Sequence, residues 1–316
     1  MNISRITKRI DSWQQRHVAV AFVHAVIKKY SEDNGGYQAA LLTYYGFLSL
    51  FPLLLVLVTV LQLWFHNDPA LRNEISVSVG HFFPLLGTQL SREIHGLRNA
   101  GLGLIIGLLI TLYGARGAAD AFRYALDNMW QIPRDKRAGF PKSMLHSLAI
   151  MCAGLAGFAA TGAVSGFTAA LGHAVWVKAL ANVLGFLILT FMLGYAFRIA
   201  TSGRIRYRYM LLGAAIAAFI MQLLLSFGSV ILSHQLQHLD SVYGTFAVVL
   251  GLLFWMYLLA QVIMYAAEID TVRHFHLWPR TFSGNLRTEA DRQAYKLYAQ
   301  REKYVEKEHI GVRFSK

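Results

Sequence analysis

The sequence predicts an all-α, polytopic membrane protein with six transmembrane helices and with both chain termini in the cytoplasm. Three observations support this fold class. Of the 316 residues, 55% are hydrophobic and only 15% are charged, whereas about a quarter of the residues in a soluble domain are charged. Six segments are apolar over the length of about 20 residues that a helix needs to cross the hydrocarbon core. Lysine and arginine are concentrated in alternate connections between those segments.

The chain begins with a basic arm, residues 1–38, which we expect to lie in the cytoplasm as an amphipathic helix on the membrane surface. Apolar, aromatic and histidine side chains recur in the arm at helical spacing, at Ile3, Ile6, Ile10, Trp13 and His17. A short apolar stretch follows at 18–27, but no small-residue cleavage site comes after it. The sequence therefore argues against a cleaved secretory signal.

A transmembrane domain, residues 39–270, follows the arm. Its six predicted spans are 39–65, 101–122, 143–171, 175–198, 210–233 and 244–269. Pro52 lies near the middle of the first span and predicts a helix kink there, because proline has no amide hydrogen and its ring clashes with the preceding turn. Gly103 and Gly107 lie four residues apart in the second span, a spacing that lets two helix backbones approach closely.

The distribution of basic residues orients this domain. Four segments on one side hold 26 of the 30 lysines and arginines: 1–38, 116–142, 198–208 and 271–316. The connections on the other side hold the remaining 4. Because basic residues are enriched on the cytoplasmic side, the arm and the charged C-terminal tail, residues 271–316, are both predicted to be cytoplasmic. The same distribution accounts for the net charge of +13 without a nucleic-acid partner.

The second span ends in a charged stretch that begins at Arg116. At 1.5 Å per residue, Arg116 lies roughly 22 Å from the outer end of the span, within the inner leaflet of a core about 30 Å thick. In one interpretation, Arg116 anchors the topology and pairs with Asp120 on its own helix. In the other, Arg116, Asp120 and Arg123 form a polar cluster that binds an anionic group or forms part of a gate. Glu268, at a similar depth in the last span, is then a candidate partner of Arg116 or Arg123.

No motif in the sequence indicates an enzyme, a cofactor or a metal site. The chain has no nucleophile elbow, P-loop or Rossmann glycine pattern. His234, His238 and Asp240 have a spacing that suits one metal ion, but we expect them in a solvated loop on the outer face. His274 and His276 have no acidic partner nearby in the sequence. None of the six spans carries a carboxylate near its midpoint, which argues against proton coupling through an intramembrane acid.

Three stretches resemble the signatures of the YihY/BrkB family of bacterial inner-membrane proteins. They are "AALLTYYGFLSLFPLLLVLV" at 39–58, "LYGARGAADAFRYALDNMWQIP" at 112–133 and "YGTFAVVLGLLFWMYLLAQVIMYAAEID" at 243–270. Asp127 and the Arg116–Asp120 pair stand where the family more often has uncharged residues. The resemblance implies a multi-pass protein of the bacterial inner membrane, in a family discussed in connection with envelope lipids and serum resistance.

The family was once labelled ribonuclease BN, and the sequence disfavours that activity because it lacks the dense His/Asp cluster of a two-metal nuclease. The leading hypothesis is a transporter-like or lipid-handling protein whose partners are membrane lipids, including those with anionic headgroups. The alternative is a scaffold that acts through its tail, where mixed charges at helical spacing over 285–309 predict a solvated helix. The sequence leaves homo-oligomerisation open.

Overall fold

The chain is described as a computed structural model. The structure describes residues 11–64, 101–139, 141–150, 152–153, 175–203, 205–243, 246–282 and 288–314. The predicted third span, 143–171, falls mostly outside these ranges. The side chains of 51–64, 101–108, 111–112, 175, 178 and 229–248 also lie outside what is described.

The described part of the chain is helical and contains no strand. Its helices are α1 (Val18–Glu32), α2 (Gly35–Trp64), α3 (Gly101–Met129), α4 (Val175–Ala200), α5 (Leu211–Tyr243), α6 (Phe246–Phe275) and α7 (Glu289–Arg301). Two short 3-10 turns follow α3 and α4, at Arg134–Lys136 and Tyr207–Tyr209. Residues 142–150 form a further helical segment. The all-α prediction is confirmed for these ranges.

Three of the described helices are long and apolar enough to cross a membrane. The apolar windows are Ala179–Ala200, Leu211–Gly228 and Val249–Phe275, and they coincide with the last three predicted spans. Large apolar side chains such as Trp176, Phe191 and Phe219 are exposed on these helices, as contact with lipid requires. A helical membrane protein is therefore confirmed, and the total of six spans and the side on which the termini lie stay predictions.

The helices form a bundle whose largest buried side chains gather at one end. α3 packs along α2, α5 packs against both α4 and α6, and α6 also contacts α1 and α2. Trp130, Phe197, Met210 and Met264 are all buried at the end where α3 and α4 finish. A Cβ at Gly213 would overlap the carbonyl oxygen of Ala266, so glycine is what lets α5 and α6 approach so closely.

Pro52, where the sequence predicts a kink, lies within α2. The structure continues α2 through Pro52 as one helix from Gly35 to Trp64. The helix is uninterrupted at Pro52, and the kink itself stays a prediction.

The arm and the tail both pack against the bundle, and the tail corrects the expectation of a fully solvated helix. In the arm, Ala25 and Val26 of α1 pack with Val272 at the end of α6 and with Ala294 of α7, while Val18, Val23 and Ile27 stay exposed. The tail helix α7 is solvated on one side only, because Ala290, Asp291 and Ala294 are buried. The sequence did not predict this packing because the buried face of α7 carries small and charged residues instead of large apolar ones. The apolar positions that suggested a surface helix, Ile3, Ile6 and Ile10, lie outside the described residues.

Candidate functional site

The predicted polar cluster lies beside a cleft between α2 and α3. The cleft has a volume of about 350 Å³ and is lined by Leu41, Tyr45, Tyr113, Arg116, Gly117, Asp120, Ala121 and Tyr124. Three tyrosines and a leucine supply an apolar wall with hydroxyl groups, and Arg116 supplies the positive charge. Such a combination suits an amphipathic molecule that has an anionic end.

Helix geometry brings these side chains together. Tyr113, Arg116, Asp120 and Tyr124 follow one another at spacings of three or four residues, so they lie on one face of α3. A Cβ at Gly117 would overlap the ring of Tyr45. The glycine therefore allows the tyrosine of α2 to lie against α3 and to form one wall of the cleft.

Asp120 is already well satisfied by hydrogen bonds. Its Oδ1 accepts a hydrogen bond of 2.7 Å from the hydroxyl of Ser147 and one of 3.4 Å from Nη1 of Arg123. The Nε of Arg116 lies 3.6 Å from Oδ2, and the Arg116 side chain is 53% exposed. Within the described part of the chain, Arg116 makes no other polar contact. Its remaining guanidinium N–H groups are therefore available to a ligand in the cleft.

Arg123 has a structural role at the same site. Its side chain is 7% exposed, and it donates hydrogen bonds of 2.9 Å to the carbonyl of Ser143 and 3.4 Å to the carbonyl of Ala138. These bonds fasten the connection after α3 to α3 itself. The structure thus brings Arg116, Asp120 and Arg123 together, as the sequence predicted, but only Arg116 is free to bind.

Glu268 lies in a different cluster, so its expected pairing with Arg116 or Arg123 was wrong. Its Oε2 is 2.8 Å from the Nζ of Lys29, which also lies 2.5 Å from Asp33 and donates to the carbonyl of Met129 at 2.8 Å. Lys29, Asp33 and Glu268 are all 0% exposed. The sequence assigned Lys29 to a membrane-surface arm, whereas the structure inserts it between α3 and α6.

The charge of this buried cluster, Lys29–Asp33–Glu268, is balanced by a fourth side chain. Arg301 at the end of α7 pairs with Asp33 at 2.8 Å, so two cations face two carboxylates. Burial lowers the pKa of Lys29, but Asp33 and Glu268 outweigh burial and leave the pKa above its ordinary value. Asp33 ends α1 and lies beside Lys29 because the two are four residues apart. Asn34, whose φ is 56°, forms the turn after which α2 begins. Asparagine adopts a positive φ more readily than most other non-glycine residues.

A second buried cluster joins α1 to the tail. Arg280 is 0% exposed and lies 2.6 Å from Glu32 and 3.0 Å from Asp291. Burial would raise the pKa of Asp291, but hydrogen bonds from Thr288 and Thr281 overcome that effect and hold it at about 2. Sequence reasoning missed both clusters because their members come from distant parts of the chain. A local signal was the spacing of Lys29 and Asp33, which are four residues apart and therefore lie on one helix face.

The histidines considered as metal ligands do not form a site in the described residues. His274 packs its ring against those of Trp130 and Tyr209, with centroids 5.5 Å and 4.6 Å away. The part of the chain that the structure describes contains no group of three or more side chains suited to a metal ion. The side chains of His234, His238 and Asp240 lie outside that part.

Comparisons with known proteins agree with the membrane fold. The family model described as "Virulence factor BrkB" matches residues 26–281. The chain is 24% identical over 261 residues to a UPF0761 membrane protein of Alcanivorax borkumensis, a match that covers 79% of this chain and 59% of the relative. This chain thus spans less than two thirds of that protein.

Other relatives are covered more fully. A UPF0761 membrane protein of Vibrio vulnificus is 22% identical over 263 residues, with 81% of this chain and 83% of the relative covered. One from Pseudoalteromonas atlantica is 25% identical over 276 residues, with 83% of this chain and 88% of the relative covered. No solved structure matches the chain.

Proposed function

Because the chain belongs to the BrkB family of membrane proteins, we propose that it handles anionic amphipathic molecules, with membrane lipids as the main class. The cleft between α2 and α3 is the binding site in this proposal, and Arg116 holds the anionic headgroup. The protein crosses the bacterial inner membrane six times, with both termini in the cytoplasm.

The exposed guanidinium of Arg116 carries the proposal. A side chain that is 53% exposed lies in a cleft with three tyrosines, at the depth where acyl chains give way to headgroups. Tyrosine rings favour that interfacial level, and basic groups there attract anionic lipids. A topology anchor would need the charge of Arg116 but neither the tyrosines nor the space beside it.

The positions of other charged groups support the proposed orientation. Arg198 ends the apolar window of α4, and Arg273 ends that of α6. Arg116 lies near the same end of the bundle, because α3 continues from it to the buried core at Trp130. Basic residues at one end of antiparallel helices are what a cytoplasmic face requires.

The scaffold alternative is less well supported by the geometry. A scaffold that acts through its tail needs that tail to present a free face of recognition residues. Here α7 is fastened to α1 through Arg280 and Asp291, and to Asp33 through Arg301. Its outer face stays available, so binding of a soluble partner to the tail is the observation that would favour the scaffold.

Lipid retention tests the proposal. The purified protein would be transferred to mixed micelles that contain equal amounts of phosphatidylglycerol and phosphatidylcholine, and the lipids retained would be counted by native mass spectrometry. We expect preferential retention of phosphatidylglycerol, reduced by Arg116→Gln and unaffected by Arg206→Gln, which removes an exposed charge outside the cleft. Equal retention of the two lipids by all three proteins would contradict the proposal.

Movement of lipid is a separate step and needs a separate measurement. Liposomes with and without the protein would carry a short-chain fluorescent phosphatidylglycerol, and dithionite quenching would report its transfer between leaflets. Faster transfer that depends on Arg116 would indicate a transporter. Retention without faster transfer would indicate that the protein holds the lipid and does not move it.

A further inference from the structure

A second cleft, which the proposed function does not use, lies at the C-terminal end of α4. It has a volume of about 420 Å³ and is lined by His146, Arg198, Ile199, Thr201, Ser202 and Gly203. His146 comes from the helical segment 142–150, and the other residues come from the last turn of α4 and the chain after it.

Arg198 is the cation of this cleft, and it has no partner in the described part of the chain. Its guanidinium makes neither a hydrogen bond nor an ion pair there. Nearby arginines differ: Arg123 donates to the carbonyl of Ser143 at 2.9 Å, and Arg137 donates to the side chain of Asn128 at 2.8 Å. Arg198 therefore presents a full set of N–H donors to a half-enclosed space.

His146 adds a second donor. Its Nδ1 is buried without a hydrogen-bond partner. In the neutral tautomer that carries its proton on Nε2, the other ring nitrogen, the ring is a hydrogen-bond donor.

The charges around His146 leave an excess of positive charge. Arg123, Arg198 and Lys142 act on the ring together with one carboxylate, that of Asp127. The Asp127 oxygens are already committed, because they accept hydrogen bonds of 2.7 Å and 2.8 Å from the backbone N–H and the hydroxyl of Ser202. Of the side chains that line the cleft, Arg198 is a cation and none is a carboxylate, which suits an anion with several oxygens.

We propose that this second cleft binds a phosphate monoester, with Arg198 as the bidentate cation and His146 Nε2–H as a further donor. A phosphate monoester offers three oxygens and close to two negative charges, more than the single charge of a phosphodiester. The planar fork of arginine matches two of those oxygens. The first cleft differs because it contains Asp120, which leaves it suited to a single negative charge.

The segment 142–150 contacts residues of the first cleft and lines the second. Ser147 donates to Asp120 beside the first cleft, and its neighbour His146 lines the second. The second site therefore has its own residues and does not depend on the proposed role of Arg116. Arg198 also satisfies the requirements of a topology anchor at a helix C-terminus, but an anchor explains neither the open cleft nor the donor on His146.

Binding measurements on the full chain test this site. The protein would carry Arg116→Gln, so that the first cleft contributes nothing, and would be titrated in detergent micelles by calorimetry. One titration uses dihexanoyl phosphatidic acid, a lipid phosphate monoester, and a second uses inorganic phosphate. We expect saturable binding that Arg198→Gln weakens at least about tenfold and His146→Leu weakens roughly fivefold. Arg206→Gln, which removes a neighbouring exposed charge outside the cleft, leaves binding unchanged.

The two ligands identify the source of the phosphate. Binding of phosphatidic acid alone supports a headgroup site, and binding of both ligands with the same dependence on Arg198 supports a site for the phosphate group itself. Circular dichroism melting verifies that Arg198→Gln is folded, and His146→Leu carries the test if it is not. The absence of saturable binding of either ligand, or equal affinities for Arg198→Gln and Arg206→Gln, overturns the proposal. Because Arg116 is already replaced, this failure is distinct from a failure of the first cleft.

Discussion

Replacement of Lys29 by methionine tests the role of the buried cluster that joins the arm to the bundle. Methionine keeps the length and the apolar stem of lysine but removes its charge. The substitution leaves Asp33 and Glu268 buried, each 0% exposed, and deprives the Met129 carbonyl of its donor at 2.8 Å. Asp33 retains Arg301 at 2.8 Å, whereas Glu268 retains only the hydroxyl of Thr271 among the described residues.

The expected loss of unfolding free energy follows from this imbalance. Removal of one partner from a buried ion pair costs about 3–5 kcal/mol, because the remaining charge is left uncompensated. We expect the loss for Lys29→Met to fall in that range. The double variant Lys29→Met/Glu268→Gln should recover part of it, because the amide carries no charge to be left unpaired.

Unfolding in mixed micelles of dodecyl maltoside and sodium dodecyl sulfate measures these losses through the fluorescence of the 6 tryptophans. The matched control is Lys296→Met, since Lys296 lies exposed on α7 and should change stability by less than about 0.5 kcal/mol. Equal effects of Lys29→Met and Lys296→Met would refute the reasoning, as would a double variant less stable than Lys29→Met.

Other predictions concern the tail, α3 and the contact of α5 with α6. The pKa of Asp291 is held at about 2, below its ordinary value, so the carboxylate stabilises the fold above about pH 4 and this stability is lost as the pH falls towards 2. Limited proteolysis across this pH range should show the tail detaching. Asp291→Asn should expose the tail to the protease already at pH 7. The pKa of Asp127 shifts in the opposite direction, because burial raises it despite the hydrogen bonds from Ser202. Asp127→Asn keeps an acceptor and a donor for Ser202, so thermal unfolding at pH 7 should show no loss of stability. A melting temperature lower by several degrees would contradict this. Gly213→Ala places a Cβ against the carbonyl of Ala266 and should lower the free energy of unfolding by about 1–3 kcal/mol. The control Gly139→Ala, with open space around it, should lower it little. Similar melting temperatures for the two variants would show that α5 and α6 adjust freely.

The sequence predicted those features that depend on neighbouring residues. The apolar windows of α4, α5 and α6 are long enough to be recognised from composition alone, because a bilayer imposes a minimum length. Arg116, Asp120 and Arg123 lie together because helix geometry places residues three or four apart on one face. Helix ends were less predictable: α5 continues to Tyr243 and α6 to Phe275, beyond the predicted span ends at 233 and 269.

Contacts between distant segments were not predictable from the pattern. Lys29 and Glu268 are 239 residues apart in the chain, and no local signal identifies one as the partner of the other. Each could equally well have been satisfied by water or by a neighbour on its own helix. The same limit explains why α7 was expected to be solvated, since its buried Asp291 finds Arg280 only once the chain is folded. The cleft beside Arg116 also depends on such a contact, because Tyr45 reaches it from another helix.

Photocrosslinking with a lipid tests the central claim most directly. The protein would be reconstituted with a phosphatidylglycerol that carries a photoactivatable group close to its headgroup, and the crosslinked peptides would be identified by mass spectrometry. The account predicts adducts concentrated on Tyr45, Tyr113 and Tyr124, which line the first cleft, and their loss in Arg116→Gln but not in Arg206→Gln. Adducts spread evenly over the exposed faces of α4 and α5, and unchanged by Arg116→Gln, would contradict it.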